Sequence, residues 1–177
     1  MRSPPARGMT LIELLVVVAL LAVLVTISAS ALGPMVDRYR QAGAAEAVAQ
    51  LVALARVEAR QQTRCYRVQI LSAGAPVPPG TPGDTVSVAR RTSADCETLT
   101  PGLEPDLRLA DVRLPRGTEA LVPAASTVPE FRPNGYTRDG LDTEVLVGPA
   151  GAPTARISIR FFGPVCSGTV SPAVPCP

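Results

Sequence analysis

The chain has 177 residues, 46% of them hydrophobic and only 3% aromatic, and its 17 arginines, without a single lysine, face 15 acids for a formal charge of +2. It contains no histidine, which removes the commonest general base and metal ligand and excludes a Ser-His-Asp or Cys-His site built from this sequence. So balanced a charge argues against a wholesale nucleic-acid binder, and the length suits one domain with an appendage.

The chain opens with Arg2 and Arg7, and after Glu13 no charge occurs until Asp37, a gap of 23 residues. A helix of about 20 residues spans the roughly 30 Å hydrocarbon core of a bilayer, so residues 14–36 are expected to cross a membrane. Positive charge ahead of the run keeps that end in the cytoplasm and places the remainder outside. Ala29-Ser30-Ala31 could end an ordinary secretory signal peptide with its apolar region over Leu14–Ile27. That reading leaves a carboxylate at the edge of the apolar run, Glu13, without a purpose, although such a charge is unfavourable there.

Around that carboxylate the sequence reads Arg7-Gly8-Met9-Thr10-Leu11-Ile12-Glu13-Leu14-Leu15. This resembles the processing site of type IV prepilins and type II secretion pseudopilins. The resemblance implies a cleaved leader, residues 1–8, removed by a prepilin peptidase between Gly8 and Met9. Met9 would become the N-methylated first residue, standing where most members have phenylalanine. Glu13 would meet the terminal amine of a neighbouring subunit, since a buried charge needs a partner. The implied partners are the peptidase, other pilins or pseudopilins in a filament, and the inner membrane. No cofactor or enzymatic activity is implied.

Gly33-Pro34 falls within the apolar run, where proline removes one helix hydrogen bond and bends the helix. Beyond it Val48, Leu51, Val52, Ala55 and Ala59 recur at helical spacing, with Arg56, Glu58 and Arg60 off that stripe and expected to be exposed. One long interrupted helix is expected over residues 9–63, its second half docked on a head formed by residues 64–177. The run Ala55-Arg56-Val57-Glu58-Ala59 resembles the GspH/FimT branch of these families.

Tyr66, Val68 and Ile70 alternate with Arg67, Gln69 and Leu71, as in a strand with one buried face. Residues 72–84 are too proline-rich for a central strand, and Val86–Ala89 read as the returning strand of a hairpin. Short strands are expected at Val112–Leu114, from Glu130, and at Val145–Val147, with a turn at Pro133-Asn134-Gly135. Ile157, Ile159 and Phe161 alternate with Arg156, Ser158 and Arg160, and the tail after Phe162 reads as loop. The expected fold class is α+β, a long membrane-spanning N-terminal helix packed on a C-terminal antiparallel β-sheet head, as in pilins.

Four cysteines, Cys65, Cys96, Cys166 and Cys176, allow three pairings. Export favours disulfides, and closure of two Pro/Gly-rich loops favours Cys65–Cys96 with Cys166–Cys176. Asp139, Asp142 and Glu144 form a loose acidic turn that does not meet the EF-hand pattern. Arg90-Arg91 and the Arg156/Arg160 pair read as solvated sheet faces with some capacity for phosphate. DNA-binding members of the resembled families tend to carry a Gly-Arg-x-Arg segment after the last strand. Here Gly163-Pro164-Val165-Cys166 lacks both arginines, so DNA is a disfavoured partner.

Overall fold

The computed structural model describes residues 10–91, 96, 107–162 and 164–170, and side chains within these except 27–32 and 34. Among the described residues one helix, α1 (Leu11–Gln62), is followed by nine strands. The chain divides into two compact units, residues 1–39 and 40–177, and α1 contributes to both. The backbone of α1 continues through Gly33-Pro34 as one helix, as expected of a proline that does not end it. A single missing N–H leaves the turns on either side able to carry the helix onward.

Within the second unit α1 buries Ala44, Ala45, Val48, Ala49, Leu51, Val52, Ala55 and Ala59. The small residues let the helix approach the sheets closely. The helix stops at Thr63, which takes a positive φ of 53°, while the Arg64 N–H reaches back to the Ala59 carbonyl at 3.3 Å. That is a Schellman ending, with threonine where glycine is usual.

The strands form two antiparallel sheets where one was expected. In the first, of order β2-β1-β3-β4, β1 (Tyr66–Ser72) pairs with β3 (Thr85–Arg90), and β3 with β4 (Leu107–Arg113). The two-residue β2 (Ala75–Pro76) and β6 (Glu130–Phe131) share the other edge of β1. Ala73 and Gly74, with φ of 50° and 83°, close the β1–β2 turn, a hairpin unforeseen in the proline-rich segment. Leu71, expected to face outward, is 1% exposed, because β2 and the return of the chain cover that end of β1.

The second sheet has the order β5-β7-β8-β9, from β5 (Thr118–Leu121), β7 (Thr143–Pro149), β8 (Ala155–Ile159) and β9 (Val165–Thr169). The segment expected to be loop after Phe162 is thus partly an edge strand. β9 aligns residue by residue with β8, from Ile159↔Val165 to Ala155↔Thr169. Backbone hydrogen bonds hold it, and its Val-Cys-Ser-Gly-Thr sequence lacks the alternation by which strands are recognised. Phe161 lies beyond the end of β8. Reciprocal hydrogen bonds between Gly83 and Ala120, both 2.9 Å, join the two sheets. Val68, Ile70, Val86 and Val88 from one sheet and Val145, Val147, Ile157 and Ile159 from the other share a single core with the helix.

Candidate assembly site

At the N-terminus of α1 the hydroxyl of Thr10 accepts the Glu13 N–H at 3.3 Å, and the Glu13 carboxylate accepts the Thr10 N–H at 3.5 Å. This is a capping box. It holds the exposed carboxylate at the positive end of the helix dipole. Gly8 and Met9 lie outside the described residues.

The next turns have no polar face. Leu11, Ile12, Leu14, Leu15, Val16, Val17, Val18, Leu20, Leu21, Val23, Leu24 and Val25 are all at least 40% exposed, on every side of the helix. Thr26 does not break this surface, since its hydroxyl donates back to the carbonyls of Ala22 and Val23 at 3.0 and 2.8 Å. Among the described residues no helix is long and apolar enough to cross a membrane.

In the second unit the structure corrects the expectation for Arg56. The side chain is 8% exposed, donates to the Arg160 carbonyl, and lies 5.0 Å from the centroid of the Phe131 ring. Burial first, and Arg60 second, lower its pKa. The aliphatic stem completes the apolar stripe, and its planar head meets a carbonyl and an aromatic face. Arg60 stays exposed and donates from Nε to the Asn134 carbonyl at 3.2 Å. Asn134 belongs to the turn expected at Pro133-Asn134-Gly135, closed by the Gly135 N–H to the Arg132 carbonyl at 2.7 Å.

A second group was not legible from the sequence. Glu130, 5% exposed, receives Arg91 at 3.1 Å, Arg67 at 3.5 Å and Arg138 at 3.6 Å. These come from β6, the end of β3, β1 and the turn after β6. Arg91 also donates to the Cys96 carbonyl at 3.3 Å, and its own N–H bonds the Cys65 carbonyl at 2.9 Å. The Cys65–Cys96 disulfide, expected from the sequence, therefore closes directly onto this cluster. Arg91 is buried and ion-paired, contrary to the solvated face expected of Arg90-Arg91; Arg90 reaches Gln62 at 3.4 Å. Cys166 is disulfide-bonded too, and Cys176 lies outside the described residues.

The remaining candidates serve as connectors. Asp142 accepts the Phe161 N–H at 2.8 Å, and Glu144 pairs with Arg156 across β7 and β8 at 3.2 Å. Tyr66, fully buried, has its pKa raised, first by burial and then by Glu58, with Arg90 opposing.

Comparison with known proteins agrees with both ends of this description. The prokaryotic N-terminal methylation motif matches residues 4–29. The type IV minor pilin FimU of Pseudomonas aeruginosa, solved in two crystal forms, shares 20% identity with this chain and superposes with TM-scores of 0.53 and 0.52. The matches cover 75% and 71% of this chain, and 91% and 90% of FimU. A search of the curated proteins finds no match. The chain thus carries a prokaryotic N-terminal methylation motif and shares the α+β fold of the minor pilin FimU.

Proposed function

We propose that the chain is a minor pilin or pseudopilin, a structural subunit inserted in an envelope filament through α1. The observation that carries this is the surface of residues 11–25, apolar on all sides with one acid, Glu13, at its start. A helix hydrophobic all round is buried in a membrane or in the core of a larger body, here a filament of packed helices, and a carboxylate buried at its end needs a cation there. A prepilin peptidase removes residues 1–8, Met9 is methylated, and residues 14–36 hold the subunit in the inner membrane with the β-rich part outside the cytoplasm. On assembly the Met9 amine of a neighbour meets Glu13, which leaves its capping role or shares it. Cys166 and Cys176 form the second disulfide.

The mature N-terminus, read by mass spectrometry, should be N-methyl-Met9. A chain beginning at Leu32 would establish signal-peptide cleavage and overturn the reading. Glu13→Val should leave cleavage and folding intact but reduce co-purification with other pilins, with Glu58→Gln as the milder control. Assembly of Glu13→Val at the wild-type level would refute the role given to the carboxylate.

A further inference from the structure

The Cys65–Cys96 disulfide and the Glu130 cluster share one side chain. Arg91 follows the last residue of β3, and its N–H donates to the Cys65 carbonyl at 2.9 Å. Its guanidinium Nη1 donates to the Cys96 carbonyl at 3.3 Å and to the Glu130 carboxylate at 3.1 Å. A single nitrogen thus bridges one half of the disulfide and the buried acid. Of the three arginines on Glu130, Arg91 is the most buried, 9% exposed against 17% and 22%, so water screens its pair least.

Glu130 in turn holds a strand too short to hold itself. β6 has two residues, and its ladder with β1 consists of the pairs Arg67↔Glu130 and Tyr66↔Phe131. Two hydrogen bonds flank it, from the Val68 N–H to the Pro129 carbonyl at 2.8 Å and from the Arg138 N–H to the Glu130 carbonyl at 2.7 Å. So few backbone bonds leave its position to its side chains. These are Glu130 among the arginines and Phe131, fully buried against the Arg56 guanidinium. Arg56 reaches from α1 to the Arg160 carbonyl, just beyond β8. Contacts therefore run without a break from the disulfide through Arg91, Glu130 and Phe131 to the helix and the second sheet, all within the second unit.

We propose that Cys65–Cys96 is a redox latch: its formation sets Arg91 against Glu130, and the clasp so completed fixes β6 against α1. In the dithiol form Cys96 is untied from Cys65. The carbonyl that orients Arg91 then loses its place, and the buried carboxylate loses its least screened partner. Closure is a thiol–disulfide exchange. The thiolate of one cysteine attacks a disulfide-bearing oxidant and displaces its first thiol; the thiolate of the other attacks the mixed disulfide and displaces the second. The two electrons and two protons given up by the cysteines leave with the oxidant as two thiols. Such oxidants act outside the cytoplasm, so the timing of closure after export rests on the reading of the chain as an exported subunit. The coupling itself rests only on the contacts above. Coupling is reciprocal: what the disulfide does for the clasp, the clasp does for the disulfide.

The test is a redox titration of the detergent-solubilised full chain in mixtures of oxidised and reduced dithiothreitol, with Cys65–Cys96 followed by thiol alkylation and peptide mapping. Glu130→Gln should shift the equilibrium toward the dithiol on the order of tenfold. Arg91→Met should shift it the same way, and serves alone where Glu130→Gln does not fold. Val147→Ala, a core change in the second sheet, is the control for stability by itself. For an equal loss of Tm its shift should be several-fold smaller. An equal shift would mean that the disulfide reports overall stability and would overturn the proposal, as would an Arg91→Met protein that titrates like wild type. In Cys65→Ser/Cys96→Ser, hydrogen exchange should quicken more at the Val68 and Arg138 amides than along β7 and β8; uniform acceleration would also overturn the proposal. These failures leave the filament reading standing. Free thiols at Cys65 and Cys96 in protein from the native envelope would overturn the oxidation step and the export reading together.

Discussion

Glu130→Gln tests whether the arginine cluster is a structural clasp. The substitution keeps the shape and one acceptor but removes the carboxylate on which Arg67, Arg91 and Arg138 converge. Arg91 and Glu130 are 9% and 5% exposed, so this pair is buried on both sides. Breaking a buried pair by removing one partner costs about 3–5 kcal/mol. Arg67 and Arg138, at 22% and 17% exposure, retain some water, which discounts their share. The glutamine carbonyl offsets part of the loss. A destabilisation of about 3 kcal/mol is expected, or a fall in Tm of roughly 6–12 °C for a chain of this size. Thermal unfolding of the detergent-solubilised full chain, followed by the far-UV strand signal with the disulfides intact, measures it. Glu144→Gln is the control: its pair with Arg156 is 38% and 31% exposed, and its loss should cost under about 1 kcal/mol. Arg91→Met should fall between the two, because it leaves Glu130 two cations. A Glu130→Gln protein within about 0.5 kcal/mol of wild type, the scale of an ordinary surface change, would refute the reasoning.

Gly135→Ala should destabilise by about 1–3 kcal/mol, visible in the same melt, since φ there is +78° and a Cβ would lie within 2.8–2.9 Å of the Arg60 Cγ and Cδ. Replacing Cys65 and Cys96 by serine opens a loop with a sequence separation of 31 and should cost about 3–4 kcal/mol in urea unfolding. Tyr66 keeps its proton to higher pH when folded than when unfolded. Its contribution is therefore complete below about pH 10 and is lost as pH rises beyond that value. Tyr66→Phe should flatten the alkaline decline in urea midpoints, and an unchanged decline would assign it to other groups.

Local order along the chain was enough for the N-terminal motif, the helix stripe from Val48 to Ala59, the β1–β3 hairpin and β8. Each repeats an apolar residue at the period of one element, or places a charge where an apolar run makes it conspicuous. The Cys65–Cys96 bond was one of three pairings open to four cysteines, favoured because it closes a Pro/Gly-rich loop, and the structure selected it. What depended on the third dimension was of another kind. Arg56 reads as a solvated helix residue by its spacing, and becomes buried only because Phe131 and the Arg160 carbonyl arrive from distant strands to receive it. Glu130 is one acid among 15, and nothing in Pro129-Glu130-Phe131 announces that three arginines from separate segments converge on it. The edge strand β9 and the split into two sheets likewise follow from which backbone groups meet. Periodicity reports the face a residue shows within its own element; it carries no record of the partner that closes over that face, and pairing across the fold is settled only when the elements pack.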